Sequence, residues 1–227
     1  MAFKLQNSLD AKTDLPKSKN PAIRFFLATN TPAAKPQTNI VGAWNLASPE
    51  SSGNFSAVAY YFAKQIHKET GIPVGIIQSC WGGKRAECYT SREAMLSNPH
   101  GKKMIAELDL AAKSFDPVAA QKKYDSTMEI WEKKVANVRT QNKNKDKSDR
   151  IRFPRRPQPV KPTYQNERNP TVLYNGMIHP FVGYSMRGAI WYQGEANAKP
   201  GLAEIYQEMF TLMILDWRGR WGDDFPF

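Results

Sequence analysis

The chain has 227 residues, 41% of them hydrophobic and 23% charged, which fits one α/β domain or a domain carrying a large insertion and excludes fibrous classes. No run of about 18 apolar residues occurs, so no membrane-spanning helix is expected. The opening Met1-Ala2-Phe3-Lys4-Leu5-Gln6-Asn7 lacks the apolar core and small-residue cleavage site of a secretory signal.

The formal charge of +11 invites a nucleic-acid reading, but residues 101–168 hold 17 Lys and Arg against 9 Asp and Glu, which is +8 of the total. The basicity belongs to one segment. Cys80 and Cys88 are too few for a disulfide scaffold and match no familiar zinc spacing, so they read as buried thiols before they read as a pair.

In chain order, residues 1–22 are polar and broken by Pro16 and Pro21, which predicts irregular surface structure. Ile23-Arg24-Phe25-Phe26-Leu27 predicts a strand. From Ala28 to Ser52 the density of Pro, Asn, Ser and Thr predicts a long loop, with Trp44 as its anchor in the core. Phe55, Val58, Ala59, Phe62 and Ile66 recur at helical spacing, Asn54 or Ser56 can cap the start, and Gly71 closes the end. The strand Pro73 to Gln78 then completes a βαβ unit, and Ser91 to Leu96 opens another helix.

Residues 98–169 change character. Met104–Ala112 and Ala119–Val138 predict helices, and residues 141–162 are a polar, basic and proline-rich run without an apolar period. The chain therefore divides into 1–97, an inserted 98–169, and 170–227. In the last part, Gly188 to Tyr192 predicts a strand buried on both faces, and Leu202–Trp217 an amphipathic helix. The ending on Phe-Pro-Phe reads as a truncation just as another strand begins.

Two stretches share one grammar. Val74–Gln78 runs into Ser79-Cys80-Trp81-Gly82-Gly83, and Ala189–Tyr192 runs into Gln193-Gly194-Glu195-Ala196-Asn197. Open α/β sheets bind ligands beyond the carboxyl ends of their strands, so the two loops are expected to share a site. Either set of residues can be structural. The glycines can serve only a tight turn, or can let a backbone N–H approach a substrate oxygen. Gln193 and Asn197 can fix their loop or donate to an oxyanion, and ionised Glu195 can only accept.

No G-x-S-x-G, G-x-G-x-x-G, H-E-x-x-H or C-x-x-C occurs, and Gly82-Gly83-Lys84-Arg85 lacks the spacing of a phosphate loop. No metal or cofactor is expected. His67, His100 and His179 stand outside any Asp-x-x-His context and read as structural or solvated.

Asn54 to Phe62, Ile72 to Gly83, Leu173-Tyr174-Asn175-Gly176-Met177-Ile178, Trp191 to Asn197 and Asp216-Trp217-Arg218 together resemble, in order, the sialate O-acetylesterase family of SGNH hydrolases. The resemblance spans nearly the whole chain outside the basic insertion. It implies a flavodoxin-like, three-layer α/β/α fold with a parallel sheet, and removal of O-acetyl groups from sialic acid or other acetylated carbohydrates by a Ser-His-Asp set. By position it implies oxyanion and substrate contacts at Trp81, Gly82, Gly83, Gln193, Gly194, Glu195 and Asn197. It also implies a secreted or periplasmic parent protein.

The family's nucleophile lies in Gly-Gln-Ser-Asn-Met, and Met1 matches the last residue of that segment. The catalytic serine is then expected two residues before Met1, and the Asp-x-x-His beyond Phe227. The 227 residues are thus expected to be an internal part of the domain, inactive by themselves.

A reading from another class is a non-catalytic module in which the Lys/Arg-rich segment binds an anion or nucleic acid, with Trp131 or Tyr124 stacking. Asp109, Asp116, Glu129 and Glu132 interleave with its cations, which is the pattern of a solvated helix face. No nucleic-acid partner is therefore expected.

Overall fold

The computed structural model describes residues 2–227. Met1, on which the expected nucleophile segment ends, lies outside them. Two compact units are present: residues 2–108 with Tyr164–Phe227, and Asp109–Thr163.

In the first unit, β1 (Asn20–Ala28), β2 (Gly42–Ala47) and β3 (Val74–Gln78) form a mixed sheet in the order β2-β1-β3. β1 runs parallel to β3, from Ile23 opposite Val74 to Leu27 opposite Gln78, and antiparallel to β2. Alternation explains β1: Ile23 and Phe25 are buried while Arg24 between them is exposed. A short helix, α1 (Ala11–Asp14), precedes the sheet, and Phe25 stacks on Phe55 with ring centroids 4.1 Å apart, which joins β1 to the segment entering α2 (Ala57–Thr70).

The long loop expected from Ala28 to Ser52 contains β2, and Trp44 is not its core anchor. It is 42% exposed, lies edge-on to Phe26, and takes the Arg24 guanidinium over its ring at 5.2 Å. The turn-rich composition hid a strand whose pairing depends on Gly42. A Cβ there would lie 2.4 Å from the Phe26 ring, so only glycine lets the backbone pass.

Helix α2 (Ala57–Thr70) starts on Ser56, whose hydroxyl accepts from the Ala59 N–H, and ends on Gly71 at φ 69°. Its buried face is Ala57, Ala59, Tyr60 and Ala63. Val58, Phe62 and Ile66 are 39%, 44% and 39% exposed, so the expected apolar face is only partly the core face. Small residues win the sheet side because they let the helix lie close to the strands.

Gly188 to Tyr192 does not form the expected strand. Its Ala189 N–H donates to the Pro226 carbonyl at 2.9 Å. A proline opposite offers no N–H, which prevents a two-way ladder from forming. Side chains hold the segment instead, with Ile190 against the β1 and β3 cluster and Trp191 against a second cluster.

That second cluster packs Cys88, Tyr89, Leu173 and Met177 against α6 (Tyr206–Trp221). Met209, Met213 and Trp217, one turn apart, form the buried stripe of α6, and Gly222 at φ 64° ends the helix. α3 (Arg92–Ser97) is capped by Ser91, and the first part of α4 (Pro99–Lys113) buries Ile105 and Leu108 beside Met209. The helix expected at Met104–Ala112 thus begins earlier.

In the second unit, α5 (Pro117–Asn142) begins on Asp116, whose carboxylate accepts from the Val118 and Ala119 N–H groups. Residues 143–162 form no helix or strand, as their composition predicts. They are nevertheless pinned to α5: the Asn142 amide donates to the Ile151 carbonyl and accepts its N–H, and the Trp131 indole donates to the Pro154 carbonyl, each at 2.9 Å. Among the described residues no helix is long and apolar enough to cross a membrane.

Candidate functional site

β3 delivers Gln78 to the edge of the loop, but that side chain is spent on structure: its carbonyl accepts the Ser56 N–H at 2.6 Å and ties the strand to the start of α2. Ser79 donates its hydroxyl to the Met177 carbonyl at 2.6 Å. A serine so placed faces a carbonyl rather than a base. Beyond it the loop is closed by Tyr89, whose hydroxyl accepts the Trp81 N–H at 2.8 Å and donates to the Trp81 carbonyl at 3.2 Å. Burial pushes the Tyr89 phenol far above its ordinary value of 10.0, against the hydrogen bond with the Trp81 backbone, which lowers it.

Gly82 and Gly83 are exposed beyond that closure. At Gly83, φ is 70° and the space a Cβ would take is open, so the glycine answers a backbone requirement and not a packing one. At Gly82 a Cβ would lie 3.4 Å from the Cβ of Ala2. The first described residue of the chain therefore lies against this loop.

The second loop is held from below. Asn197 is 1% exposed and uses its whole amide: its oxygen accepts from the Ala86 N–H at 3.2 Å and from Gln193 Nε2 at 2.8 Å, and its nitrogen faces both oxygens of Glu87 at 3.0 and 3.1 Å. Glu87 is itself fully buried, on the short 3-10 helix Ala86–Tyr89. The glycine loop, this short helix and the Gln193–Asn197 turn are thus joined by one run of hydrogen bonds. The two loops are therefore neighbours, although the strand expected to lead into one of them does not form.

Of the expected donors, Asn197 is the deepest, and it directs its N–H groups at Glu87 rather than at open space. Gln193 is half-buried and shares one amide N–H with Asn197. Glu195 is exposed, Gly194 half-buried, and Trp81 packs against the second cluster with the Lys84 ammonium 5.1 Å above its ring. Lys84 is buried to 6% exposure and pairs with Glu167 at 3.3 Å.

Sequence reasoning missed Glu87, Tyr89 and Tyr206. The Tyr206 hydroxyl donates to Gln193, at its carbonyl or its side-chain oxygen, at 3.1 and 3.2 Å. Trp191, edge-on to Tyr89 and Trp217, has no hydrogen-bond partner for its buried indole N–H among the described residues; the Tyr206 hydroxyl lies within electrostatic reach of it. The glutamate gave no signal because its partner lies 110 residues away.

Asp216-Trp217-Arg218 secures the floor. Asp216 accepts from the Ser91 N–H and hydroxyl, both at 2.8 Å, and from Arg220 at 3.1 Å. The Trp217 indole donates to the Tyr89 carbonyl, and Arg218 donates to the Phe225 carbonyl. Within the Leu173–Ile178 stretch, Tyr174–Ile178 is a π-helical turn. There a Cβ at Gly176 would meet the Thr31 carbonyl oxygen at 1.8 Å, and Asn175 donates to the Ala33 carbonyl.

Among the described residues no histidine meets a serine. Nδ1 of His179 bonds the Gln37 carbonyl, Nδ1 of His67 the Ile72 carbonyl, and His100 lies 3.7 Å from Glu208. Among the described residues no three His, Cys, Asp or Glu side chains converge as metal ligands. Cys80 and Cys88 are both free thiols, and burial raises each, Cys88 to about 11.

No family model matches the chain. Its fold is similar to that of a carbohydrate acetylesterase from Xanthomonas citri, with a TM-score of 0.67 and 26% identity over 99% of this chain and 37% of that one. The narrower similarity is to proteins named sialate O-acetylesterase. The one from Rattus norvegicus is 25% identical over 209 residues, covering 87% of this chain and 33% of that protein. The one from Mus musculus is 26% identical over 169 residues, covering 73% and 26%. The resemblance to the sialate O-acetylesterase family therefore extends over most of this chain, and the chain spans about a third or less of the length of these relatives.

Proposed function

We propose that the chain supplies the oxyanion side of a carbohydrate O-acetylesterase domain, acting on O-acetyl esters of sialic acid or other sugars. The observation that carries this is the hydrogen-bonded run from the Gly82-Gly83 loop through Asn197 to Gln193, in a chain that aligns over 99% of its length with a carbohydrate acetylesterase. Gly82 or Gly83 offers a backbone N–H, and Gln193 a side-chain N–H, to the developing oxyanion. Asn197 acts behind Gln193, as a positioning residue whose own orientation is fixed by Glu87.

Acyl transfer also needs a serine nucleophile, a histidine to take and return its proton, and an aspartate to orient that histidine. In this reading they belong to polypeptide outside these 227 residues. The contact between Ala2 and Gly82 supports it: a serine three residues before Ala2 stays within roughly 11 Å of that alanine, since an extended chain spans at most about 3.6 Å per residue. A longer polypeptide is proposed to add parallel strands to this sheet, which stays mixed through the antiparallel β2, and to complete a three-layer α/β/α domain in a secreted or periplasmic protein.

The test is hydrolysis of p-nitrophenyl acetate and of O-acetylated sialic acid. The 227-residue chain should be inactive, because loss of the nucleophile and base of such a set costs on the order of 10⁶ in turnover. A polypeptide extended at both ends should be active, and in it Gln193→Ala should lower kcat by on the order of 10² with little change in KM. Robust hydrolysis by the chain alone would make an internal serine the nucleophile and end this assignment.

A further inference from the structure

We propose that the basic arm of the second unit, residues 143–156, is a binding strip for a linear acidic polysaccharide. Lys143, Lys145, Lys147, Arg150, Arg152, Arg155 and Arg156 stand there against only Asp146 and Asp149, and all seven cations are exposed. Lys143, Lys145, Lys147, Arg152 and Arg155 form no salt bridge among the described residues.

Seven like charges on a loose segment would drive it apart and into solvent. This arm is instead held at defined points. Asn142 clasps Ile151 with two hydrogen bonds, the Trp131 indole holds the Pro154 carbonyl, the Arg156 guanidinium sits 5.8 Å above the Trp131 ring, and Arg150 Nε donates to the Lys145 carbonyl at 3.3 Å. Holding unneutralised cations together costs folding energy, and a polyanion that supplies the countercharge recovers it. Pre-positioning lowers the ordering cost of binding as well.

The arrangement favours a string of charges over a single anion. Lys143–Arg150 lies on turns that Asn142 closes against Ile151, and from Arg152 to Arg156 the backbone forms no helix or strand, so two groups of cations follow one another along the arm. It also favours carbohydrate over nucleic acid. Sequence-tolerant binding of single strands uses several aromatic faces for successive bases. Here Trp131 is engaged by Pro154 and Arg156, which leaves Phe153, 54% exposed, as the aromatic offered by the arm. Guanidinium forks suit the carboxylates of an acidic glycan without any stacking. The choice of a carbohydrate rests on the esterase reading above; the presence of a polyanion strip does not.

The experiment measures binding by the full 227-residue chain to fluorescent polygalacturonate, neutral dextran and an oligo-dT of equal charge, across a salt series. Polygalacturonate should bind with an affinity that falls steeply with salt, at least tenfold more tightly than oligo-dT, and dextran should not bind. Lys147→Gln/Arg152→Gln/Arg155→Gln should weaken polygalacturonate binding at least tenfold. Lys12→Gln/Lys17→Gln/Lys35→Gln, which removes the same charge from the first unit, should leave it within about twofold. Circular dichroism checks that each variant is folded, and Lys143→Gln/Lys145→Gln replaces the arm variant if it is not. Equal losses in both sets would reduce the effect to net charge and overturn the proposal. So would binding of oligo-dT at equal or greater affinity, which would make the arm a nucleic-acid site. These readouts do not depend on hydrolysis, so failure of the esterase reading and failure of the strip are separately visible.

Discussion

Asn197 shows how much one amide can be asked to hold. It bridges Gln193, the Ala86 backbone and a fully buried Glu87 carboxylate. Removing it leaves that carboxylate without its amide donor in a low-dielectric site, so Asn197→Ala should destabilise the chain by about 2–3 kcal/mol in urea unfolding. Glu87→Gln should cost less, because a neutral amide needs no charge compensation there. Equal losses in the two variants would show that the bridge does not hold a charged group. Gly176 offers a backbone counterpart. A methyl there collides with the Thr31 carbonyl, so Gly176→Ala should cost on the order of 2–4 kcal/mol, a loss typical of forced repacking in a core.

At the scale of elements, the contrast within α2 is open to measurement. Phe62 is 44% exposed whereas Ala63 is fully buried against the sheet. Phe62→Ser should therefore shift stability by no more than about 0.5–1 kcal/mol, and Ala63→Leu should cost about 1–3 kcal/mol through overpacking. A sequence period alone gives the opposite order, since it counts phenylalanine as core. The junction of α3 and α6 rests on Ser91, which caps α3 and is held by Asp216. Ser91→Ala should lose about 1–2 kcal/mol, more than an exposed cap, because Asp216 and Arg220 lose a partner with it.

At the scale of the molecule, buried acids that stay neutral set the alkaline limit. Burial raises Cys88 to about 11 and Tyr174 to about 12, from ordinary values of 9.0 and 10.0. The unfolded chain releases these protons first. Their stabilisation is therefore complete below pH 9 and is lost as pH rises through the folded values. Cys88 alone should account for roughly 2–3 kcal/mol of that loss between pH 9 and 11. Unfolding titrations should show stability falling over this window, with a shallower slope in Cys88→Ala. A flat profile would mean that the thiol reaches solvent in the fold.

A strand at Ile23–Leu27, β3, a helix capped at Asn54 or Ser56 and closed by Gly71, a helix opening at Ser91 and the nearness of two loops were all legible in the sequence, because each rests on local chemistry or a short period. So was the resemblance over most of the chain. The buried face of α2, the exposed position of Trp44, the missing strand at Gly188 to Tyr192 and the inward turn of Asn197 to Glu87 emerge only once the chain is folded. Those outcomes depend on partners far away in the chain: Pro226 opposite Ala189, Glu87 beneath Asn197, and Phe26 against Gly42. A side chain's spacing fixes the direction in which it can point, whereas burial depends on whether another segment arrives to meet it.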